Sequence, residues 1–174
     1  MTIDISNAFK AEPRSVLEFL QRPGQGCYIP AYQREYRWDK ANVDRLFEDA
    51  LSGIGALCER NDTISFLGTV IAVHDTKYAT VKPHFRNEMP ERVMTIIDGQ
   101  QRISTFILAF LAVHNLLSIV LPRLEKDETE SGQWLFSEVA KMLANLRECI
   151  VYDKVSGKGL NRYYPRLIRS FDDV

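Results

Sequence analysis

The stretch Thr95-Ile96-Ile97-Asp98-Gly99-Gln100-Gln101-Arg102-Ile103-Ser104-Thr105 decides the fold, because its hydrophobic pattern changes within a few residues. The apolar run from Val93 to Ile97 predicts an interior strand. Asp98 and Gly99 then predict a turn, and a long apolar helix is expected from about Gln100 to Leu121. The stretch is therefore interpreted as a strand, a glycine turn and the start of a helix.

Five further elements are predicted from proline positions, helix caps and apolar spacing. They are a short helix within Pro13–Gln21, a short strand running into an ordered loop within Cys27–Trp38, an amphipathic helix from Asp39 to Cys58, an interior strand within Phe66–Val73 and a helix from Trp134 to Leu146. Residues 74–92 hold two prolines and few apolar side chains, which predicts a long hairpin arm or a mobile loop.

Length and composition fit one globular domain of 174 residues, 45% of them hydrophobic and 26% charged. The net charge is −1, so any contact with nucleic acid must be local. Three cysteines without a C-x-x-C pair favour a reducing cytoplasm. The most apolar segment, Phe106–Leu121, is shorter than the roughly 20 residues that span a bilayer. It is predicted to be a buried helix, and no membrane contact is expected.

The C-terminal part carries five cations between Lys154 and Arg169. They are interpreted as a solvated face, with contact to a phosphate backbone as the alternative. The sequence stops at Val174 without an obvious terminating signal. Residues 1–174 are therefore expected to be a single domain from a longer protein.

The segment Ile29-Pro30-Ala31-Tyr32-Gln33-Arg34-Glu35-Tyr36-Arg37-Trp38 concentrates two arginines, one amide and three aromatic rings. Arginine offers a rigid fork of donors for phosphate oxygens, and an aromatic ring offers a face on which a base can stack. Such a segment can hold a nucleotide. The alternative, of equal weight, is that the aromatic residues anchor the core while the arginines pair with Glu35 or Asp39.

The turn at Asp98 and Gly99 gives the predicted helix a start that favours anions, because the first N–H groups lack partners and the dipole is positive there. Arg102 opposes that dipole by about 0.3–1 kcal/mol, which indicates another task such as binding an anion. Asp98 is expected to cap the helix, orient an arginine or hold a magnesium ion that bridges phosphates. The alternative is a capped helix with solvated glutamines.

Three blocks of sequence, 29–38, Phe66-Leu67-Gly68 and Ile97–Arg102, together resemble the N-terminal domain family of the GmrSD-type restriction endonucleases. The blocks occur in the family's order, and the resemblance extends from about residue 15 to the end. Ile103-Ser104-Thr105-Phe106 stands where leucine-threonine-threonine-leucine is commoner, which preserves the helix pattern.

The resemblance implies an α+β fold with a ParB/sulfiredoxin-like core, in which a small mixed sheet packs with several helices. It implies a nucleoside triphosphatase that serves a restriction endonuclease in defence against phage. It also implies DNA as a partner, with sensing of modified bases or a modified backbone. Cleavage would belong to an HNH-type nuclease on a C-terminal domain or a partner chain, and self-association of the chain is left open.

The resemblance assigns roles to the residues that match its motifs. Catalysis falls to Asp98, Gln100, Gln101 and Arg102, with Asp98 also the expected magnesium ligand. Nucleotide binding falls to Gln33, Arg34, Gly99, Gln100 and Arg102. Base stacking or DNA contact falls to Tyr32, Tyr36, Arg37 and Trp38. In the expected mechanism the helix start and arginines hold the phosphates, while Asp98 with magnesium, or a glutamine, positions the attacking water.

Two other functions fit the same residues, namely a non-catalytic module that binds modified DNA and a DNA-nicking nuclease of ParB-like fold. A nucleotide-binding and hydrolysis assay discriminates among the three. Ile97 and Phe106 are expected to serve the fold instead, and truncating either to alanine would cost roughly 2–5 kcal/mol if it is buried.

Overall fold

The computed structural model describes residues 10–60, 62, 64–77, 90–155 and 161–169, with the backbone alone at 152–155 and 161–164. These residues form four helices and six strands. The helices are α1 (Val16–Leu20), α2 (Lys40–Glu59), α3 (Gln100–Leu124) and α4 (Glu130–Ile150). The strands are β1 (Gln25–Ile29), β2 (Ile71–His74), β3 (Arg92–Asp98), β4 (Val151–Val155), β5 (Asn161–Pro165) and β6 (Leu167–Arg169).

Four of the strands form one mixed sheet in the order β2-β3-β1-β6, and β4 pairs with β5 in a separate two-stranded sheet. β1 runs parallel to β3 and to β6, whereas β2 is antiparallel to β3. A small mixed sheet with helices confirms the predicted α+β class. Because the three parallel strands run the same way, Ile29, Asp98 and Arg169 end at one edge, which is where open sheets with parallel strands bind ligands. We call it the carboxyl edge.

The core joins the sheet to the helices through a cluster of buried side chains from five elements. Its members are Leu20, Cys27, Ile29, Ile96, Ile103 and Cys149. Burial raises the pKa of Cys27 to about 12, so this thiol stays protonated and packs as a small apolar group. Because Ile103 of α3 belongs to the same cluster as residues of β1 and β3, the start of α3 packs on the two central strands of the sheet.

The start of α2 confirms the predicted cap. Asp39 accepts a hydrogen bond from the backbone N–H of Asn42, and the Asn42 side chain reciprocates toward the backbone N–H of Asp39. α2 is less buried than its apolar spacing predicts, since its buried residues are Leu46 and Gly53 while Leu51 remains exposed. The cap fixes where α2 begins, directly after the loop that leaves β1.

The predicted strand within Phe66–Val73 is shorter than expected and is not interior. β2 begins at Ile71 and pairs on one side only, with β3, so it forms an edge of the sheet. Phe66 and Val73 are exposed. Residues 64–70 have no regular structure, because Gly68 has a φ of 111° that interrupts the extended backbone. β-branched composition identified a strand here but could not distinguish an edge from the interior.

α3 is longer and less buried than predicted. It has 25 residues, with an 18-residue window of mean hydropathy 2.1 that is 17% buried. By length and composition alone the helix could cross a membrane, which is weak evidence because core helices of soluble proteins meet the same test. The expected burial of the segment Phe106–Leu121 is wrong, since only the first turns of the helix, from Gln100 to Phe106, contain buried residues.

The predicted solvated face in the basic C-terminal part is also wrong where the structure describes it. Arg166 is 5% exposed and Arg169 is half-buried. Arg166 donates to the carbonyl oxygens of Glu148, Arg22 and Gln25 at 2.7–3.0 Å. These contacts join α4 to the turn before β1. Lys158, Val174 and residues 78–89 of the predicted hairpin arm lie outside the described residues.

Ile96, and not Ile97, is the core residue at the end of β3. Ile96 is fully buried, whereas Ile97 is 39% exposed. Successive side chains of a strand point to opposite faces, so Ile97 shares its face with Val93 and Thr95, which are buried. The exposure of Ile97 therefore follows from its place near the carboxyl edge and not from the face to which it points. The stability cost expected of a buried residue therefore applies to Ile96 and not to Ile97, while Phe106 meets the condition because it is buried.

Replacing Ile96 by valine is expected to lower the free energy of unfolding by about 0.5–1.5 kcal/mol, because it removes one buried methylene-sized group. Ile97→Val is the matched control and is expected to change it by less than about 0.5 kcal/mol. Urea unfolding followed by circular dichroism measures both. Equal losses in the two variants would contradict this placement of the core.

Candidate functional site

The loop between β1 and α2, residues 30–38, lies over the start of α3; we call it the motif loop. Gln33 Nε2 donates to the carbonyl oxygen of Ile97 at 2.9 Å. In the other direction, Gln100 Nε2 donates to the carbonyl oxygen of Arg34 at 3.1 Å. The sequence blocks 29–38 and Ile97–Arg102 are therefore joined by hydrogen bonds at the carboxyl edge.

Gln101 fastens the far half of the motif loop. Its Oε1 accepts from the backbone N–H groups of Arg37 at 2.8 Å and Trp38 at 3.3 Å, and its Nε2 donates to the carbonyl oxygen of Glu35 at 3.0 Å. The side chain is 5% exposed. The alternative of solvated glutamines is thus wrong, and Gln101 holds the backbone of the loop.

Gln100 is also 5% exposed, but only the nitrogen of its side-chain amide is hydrogen-bonded. Its Nε2 is bonded to the loop, whereas its Oε1 is buried without a hydrogen-bond partner, alone among the buried side-chain nitrogen and oxygen atoms of the described residues. A buried acceptor without a donor costs about 1–3 kcal/mol. A ligand or water that donated to Oε1 would remove this cost.

Gly99 is the N-cap of α3 and adopts a left-handed backbone with a φ of 86°. A Cβ at this position would also lie 3.0 Å from the carbonyl oxygen of Thr69. Glycine is required here by conformation and by space. No side chain caps the helix, so Asp98 does not have the capping role that was one of its three expected roles, and the first N–H groups of α3 remain available to an anion.

Arg102 joins the Phe66-Leu67-Gly68 block to the other two sequence blocks. Its Nη1 donates to the carbonyl oxygen of Thr69 at 2.9 Å. A Cβ at Gly68 would lie 2.5 Å from Arg102 Cζ, so the guanidinium rests on the bare backbone of this glycine. The close approach gives a physical reason for Phe66-Leu67-Gly68 to occur together with the motif Asp98–Arg102.

Three charged side chains of the site have no partner among the described residues. Arg34, Arg37 and Asp98 are exposed and form no side-chain hydrogen bond or ion pair there. The alternative in which the arginines pair with Glu35 or Asp39 is therefore wrong. Two cations and one carboxylate are left available for a ligand.

The aromatic residues of the motif loop differ in their surroundings. Tyr32 is 71% exposed and is not a core anchor. The hydroxyl of Tyr36 shares a hydrogen bond of 2.9 Å with Thr105 Oγ1, so this ring is fixed beside α3. Trp38 is half-buried. All three rings keep some free surface, and Tyr32 has the most.

A cavity of about 520 Å³ opens between the motif loop and the start of α3, within the usual size range of ligand sites. We call it the motif cavity. It is lined by Gln33, Arg34, Trp38, Asp98, Gly99, Gln100, Gln101 and Arg102. The structure thus brings these eight predicted residues together, and it leaves Tyr32, Tyr36 and Arg37 outside the lining.

Two features of the site were not predicted from sequence. Arg169 Nη2 donates to the carbonyl oxygen of Gln33 at 3.0 Å and supports the motif loop from β6. A smaller cavity beside Trp38 is lined by Asn42, Arg45 and Asp49 of α2. Their three- and four-residue spacing places them on one face of that helix, but charged faces of this kind are common and carry no specific signal.

The comparisons with known proteins agree with the three sequence blocks. The family profile described as the GmrSD restriction endonuclease N-terminal domain matches residues 16–171, about nine-tenths of the chain. No curated protein matches the sequence. The profile covers the motif loop, the Phe66-Leu67-Gly68 segment, α3 and the strands that meet at the carboxyl edge. The chain therefore belongs to the family of GmrSD restriction endonuclease N-terminal domains and is part of a phage-defence restriction protein.

Proposed function

We propose that the chain binds and hydrolyses a nucleoside triphosphate in the motif cavity and that the nucleotide controls how the motif loop meets DNA. The observation that carries the proposal is the unpartnered acceptor of Gln100, buried in the wall of a cavity at an open helix start. Helix starts bind phosphate through backbone N–H groups and the helix dipole. The buried acceptor indicates that the site needs a donor as well as an anion.

The phosphates would lie against the first turn of α3. The backbone N–H groups of Gln100 and Gln101 and the unpaired guanidinium of Arg34 supply donors there. Arg102 keeps N–H groups beyond the one that is bonded to Thr69. Several positive groups that converge on one site stabilise the charge that shifts onto the phosphate oxygens during hydrolysis.

Asp98 fits a magnesium ion delivered with the nucleotide. Magnesium in phosphate sites is held by one or two carboxylates and by the phosphates themselves, and Asp98 is the carboxylate that lines the motif cavity. Within the described residues no group of three or more His, Cys, Asp and Glu side chains could hold a metal alone. When bound, the ion would neutralise phosphate charge.

The attacking water would be positioned by a side chain that has a polar atom without a hydrogen-bond partner in the protein. Gln100 Oε1 can accept a hydrogen bond from water, which orients a lone pair toward the phosphorus. Gln101 has all three of its hydrogen bonds inside the protein. We therefore assign Gln101 to positioning of the loop and Gln100 to the water.

The outer face of the motif loop is proposed to contact DNA. Arg37 and Tyr32 are exposed and lie outside the motif cavity, so they can meet a phosphate and stack on a base. The same loop is bonded to α3 through both glutamines. A nucleotide that favours one arrangement of the motif loop must change the affinity of the loop for DNA. In the cytoplasm, an HNH-type nuclease on a C-terminal domain or partner chain would then cut.

The experiment measures DNA affinity at one fixed salt concentration with and without a slowly hydrolysed analogue of ATP, GTP, CTP or UTP. Saturating nucleotide is expected to change the DNA dissociation constant by about 5–150-fold, the usual range of coupling between two sites. Arg34→Ala should reduce this fold-change clearly but lower the melting temperature only slightly, because the guanidinium has no structural partner among the described residues. Salt is held constant because it alone shifts phosphate-dominated affinities strongly.

Arg123→Ala, at the opposite end of α3, is the matched control and should leave the coupling unchanged. Equal DNA affinity with and without each of the four nucleotides would contradict the coupling. DNA binding without any nucleotide binding would favour a module that only senses DNA. Cleavage of DNA that is lost in Asp98→Ala would favour the nicking function.

A further inference from the structure

A second, smaller cavity of about 170 Å³ lies beside the motif cavity. Trp38 and Arg102 line both cavities, so the two spaces share a wall made of an aromatic ring and a guanidinium. The remaining walls are α2, through Asn42, Arg45, Leu46 and Asp49, and Leu67 of the Phe66-Leu67-Gly68 block. The cavity therefore extends the site away from the helix start and toward α2.

The polar groups of this second cavity are available to a ligand. Arg45 and Asp49 are four residues apart on α2, a spacing that favours an ion pair, yet neither forms an ion pair or side-chain hydrogen bond with another described residue. The Asn42 Oδ1 accepts from the backbone N–H of Asp39 at 3.4 Å, which leaves its amide donors free. The guanidinium of Arg45, the amide of Asn42 and the carboxylate of Asp49 thus line one small cavity beside an aromatic ring.

We propose that the second cavity binds the base and ribose of the nucleotide whose phosphates occupy the motif cavity. This assignment rests on the proposed function, and it identifies the ligand as a ribonucleotide. The indole of Trp38, on the border between the cavities, offers a face for the base. The carboxylate of Asp49 can accept hydrogen bonds from both ribose hydroxyls, as carboxylates do in dinucleotide sites.

The base would be read by the remaining polar side chains. Asn42 can donate to a ring nitrogen or carbonyl of a base, and Arg45 can donate to two acceptors at once. Leu46 and Leu67 close the cavity with apolar surface. The phosphates alone would bind without discrimination among bases, so selectivity among ATP, GTP, CTP and UTP is assigned to α2.

The test compares a nucleotide with a ligand that has phosphates only. Isothermal titration with magnesium measures the affinities of the preferred ribonucleoside triphosphate, its 2′-deoxy counterpart and inorganic tripolyphosphate. Asp49→Asn is expected to weaken binding of the ribonucleotide at least about tenfold and to leave tripolyphosphate binding unchanged, because a hydrogen bond to a charged group is lost. Arg45→Ala is expected to have the same selective effect. Arg34→Ala should weaken both ligands.

Glu48→Gln is the matched control, since Glu48 is an exposed carboxylate one position before Asp49 that does not line the cavity. Melting curves verify that each variant folds. Equal effects of Asp49→Asn on nucleotide and tripolyphosphate, or no effect on either, would overturn the second cavity as the base and ribose site. Failure of the unmodified chain to bind any of the three ligands would instead overturn the proposed function itself.

Discussion

Replacing Asp98 by asparagine is expected to reduce nucleotide hydrolysis at least about a hundredfold, the usual scale for removing one group that stabilises a transition state. Asp98 is the carboxylate that lines the motif cavity, and the neutral amide would lose the charge that holds magnesium against the phosphates. The substitution should leave the fold intact, because the side chain of Asp98 is exposed and forms no hydrogen bond or ion pair with another described residue. Phosphate release under saturating nucleotide and magnesium measures the effect.

Glu35→Gln is the matched control for this variant. Glu35 lies in the motif loop, but its side chain does not line the motif cavity, so hydrolysis should stay within about twofold of the unmodified chain. A melting temperature that falls in Asp98→Asn would indicate a structural role for the carboxylate. Undiminished hydrolysis in that variant would show that the reaction does not depend on Asp98.

The arrangement of the motif Asp98–Arg102 could be predicted from sequence because it depends on local structure. An apolar run, a glycine and a second apolar run with a helical period specify a strand, a turn and a helix with little help from the rest of the chain. The left-handed backbone of Gly99 and the open start of α3 follow from the same few residues. Local signals were therefore sufficient to predict this strand, the glycine turn and the helix start.

The separate tasks of the two glutamines could not be predicted, because their partners come from distant parts of the chain. Gln101 is bonded to backbone atoms about 65 positions earlier, and Gln100 to the carbonyl oxygen of Arg34. Neighbouring residues of one type thus differ in whether their polar atoms are already used. Only the folded chain shows that Gln101 is fully engaged and that Gln100 retains a free acceptor.

The burial of individual helices and strands also could not be predicted from the periodicity of their apolar residues. An apolar helix is expected to be buried, yet the most apolar window of α3 is 17% buried. Ile96 and Ile97 are both isoleucines of β3, but Ile96 lies in the core while Ile97, one residue nearer the end of the strand, is exposed. Which face of an element is covered depends on the elements that pack on it, and this is a property of the whole fold.

Arg166 shows the same limit for a charged residue. Its spacing with other cations predicted a solvated face, whereas its side chain is buried between α4 and the turn before β1. Arginine is suited to this position because its planar fork can serve several carbonyl oxygens at once. A cation is also favourable at the end of α4, where the helix dipole is negative.

Replacing Arg166 by alanine is therefore expected to lower the free energy of unfolding by about 4 kcal/mol or more, since it leaves the carbonyl oxygens of Glu148, Arg22 and Gln25 without this donor. For a chain of this length, such a loss corresponds to a fall in melting temperature of roughly 10 °C. Arg166→Lys should recover little, because an ammonium group lacks the fork that reaches all three oxygens.

Arg123→Ala, an exposed arginine in the last turn of α3, is the control and should melt within about 2 °C of the unmodified chain. Thermal unfolding followed by circular dichroism decides the matter: similar melting temperatures for Arg166→Ala and Arg123→Ala would mean that water replaces the guanidinium and that the junction between α4 and β1 is held by its backbone hydrogen bonds alone.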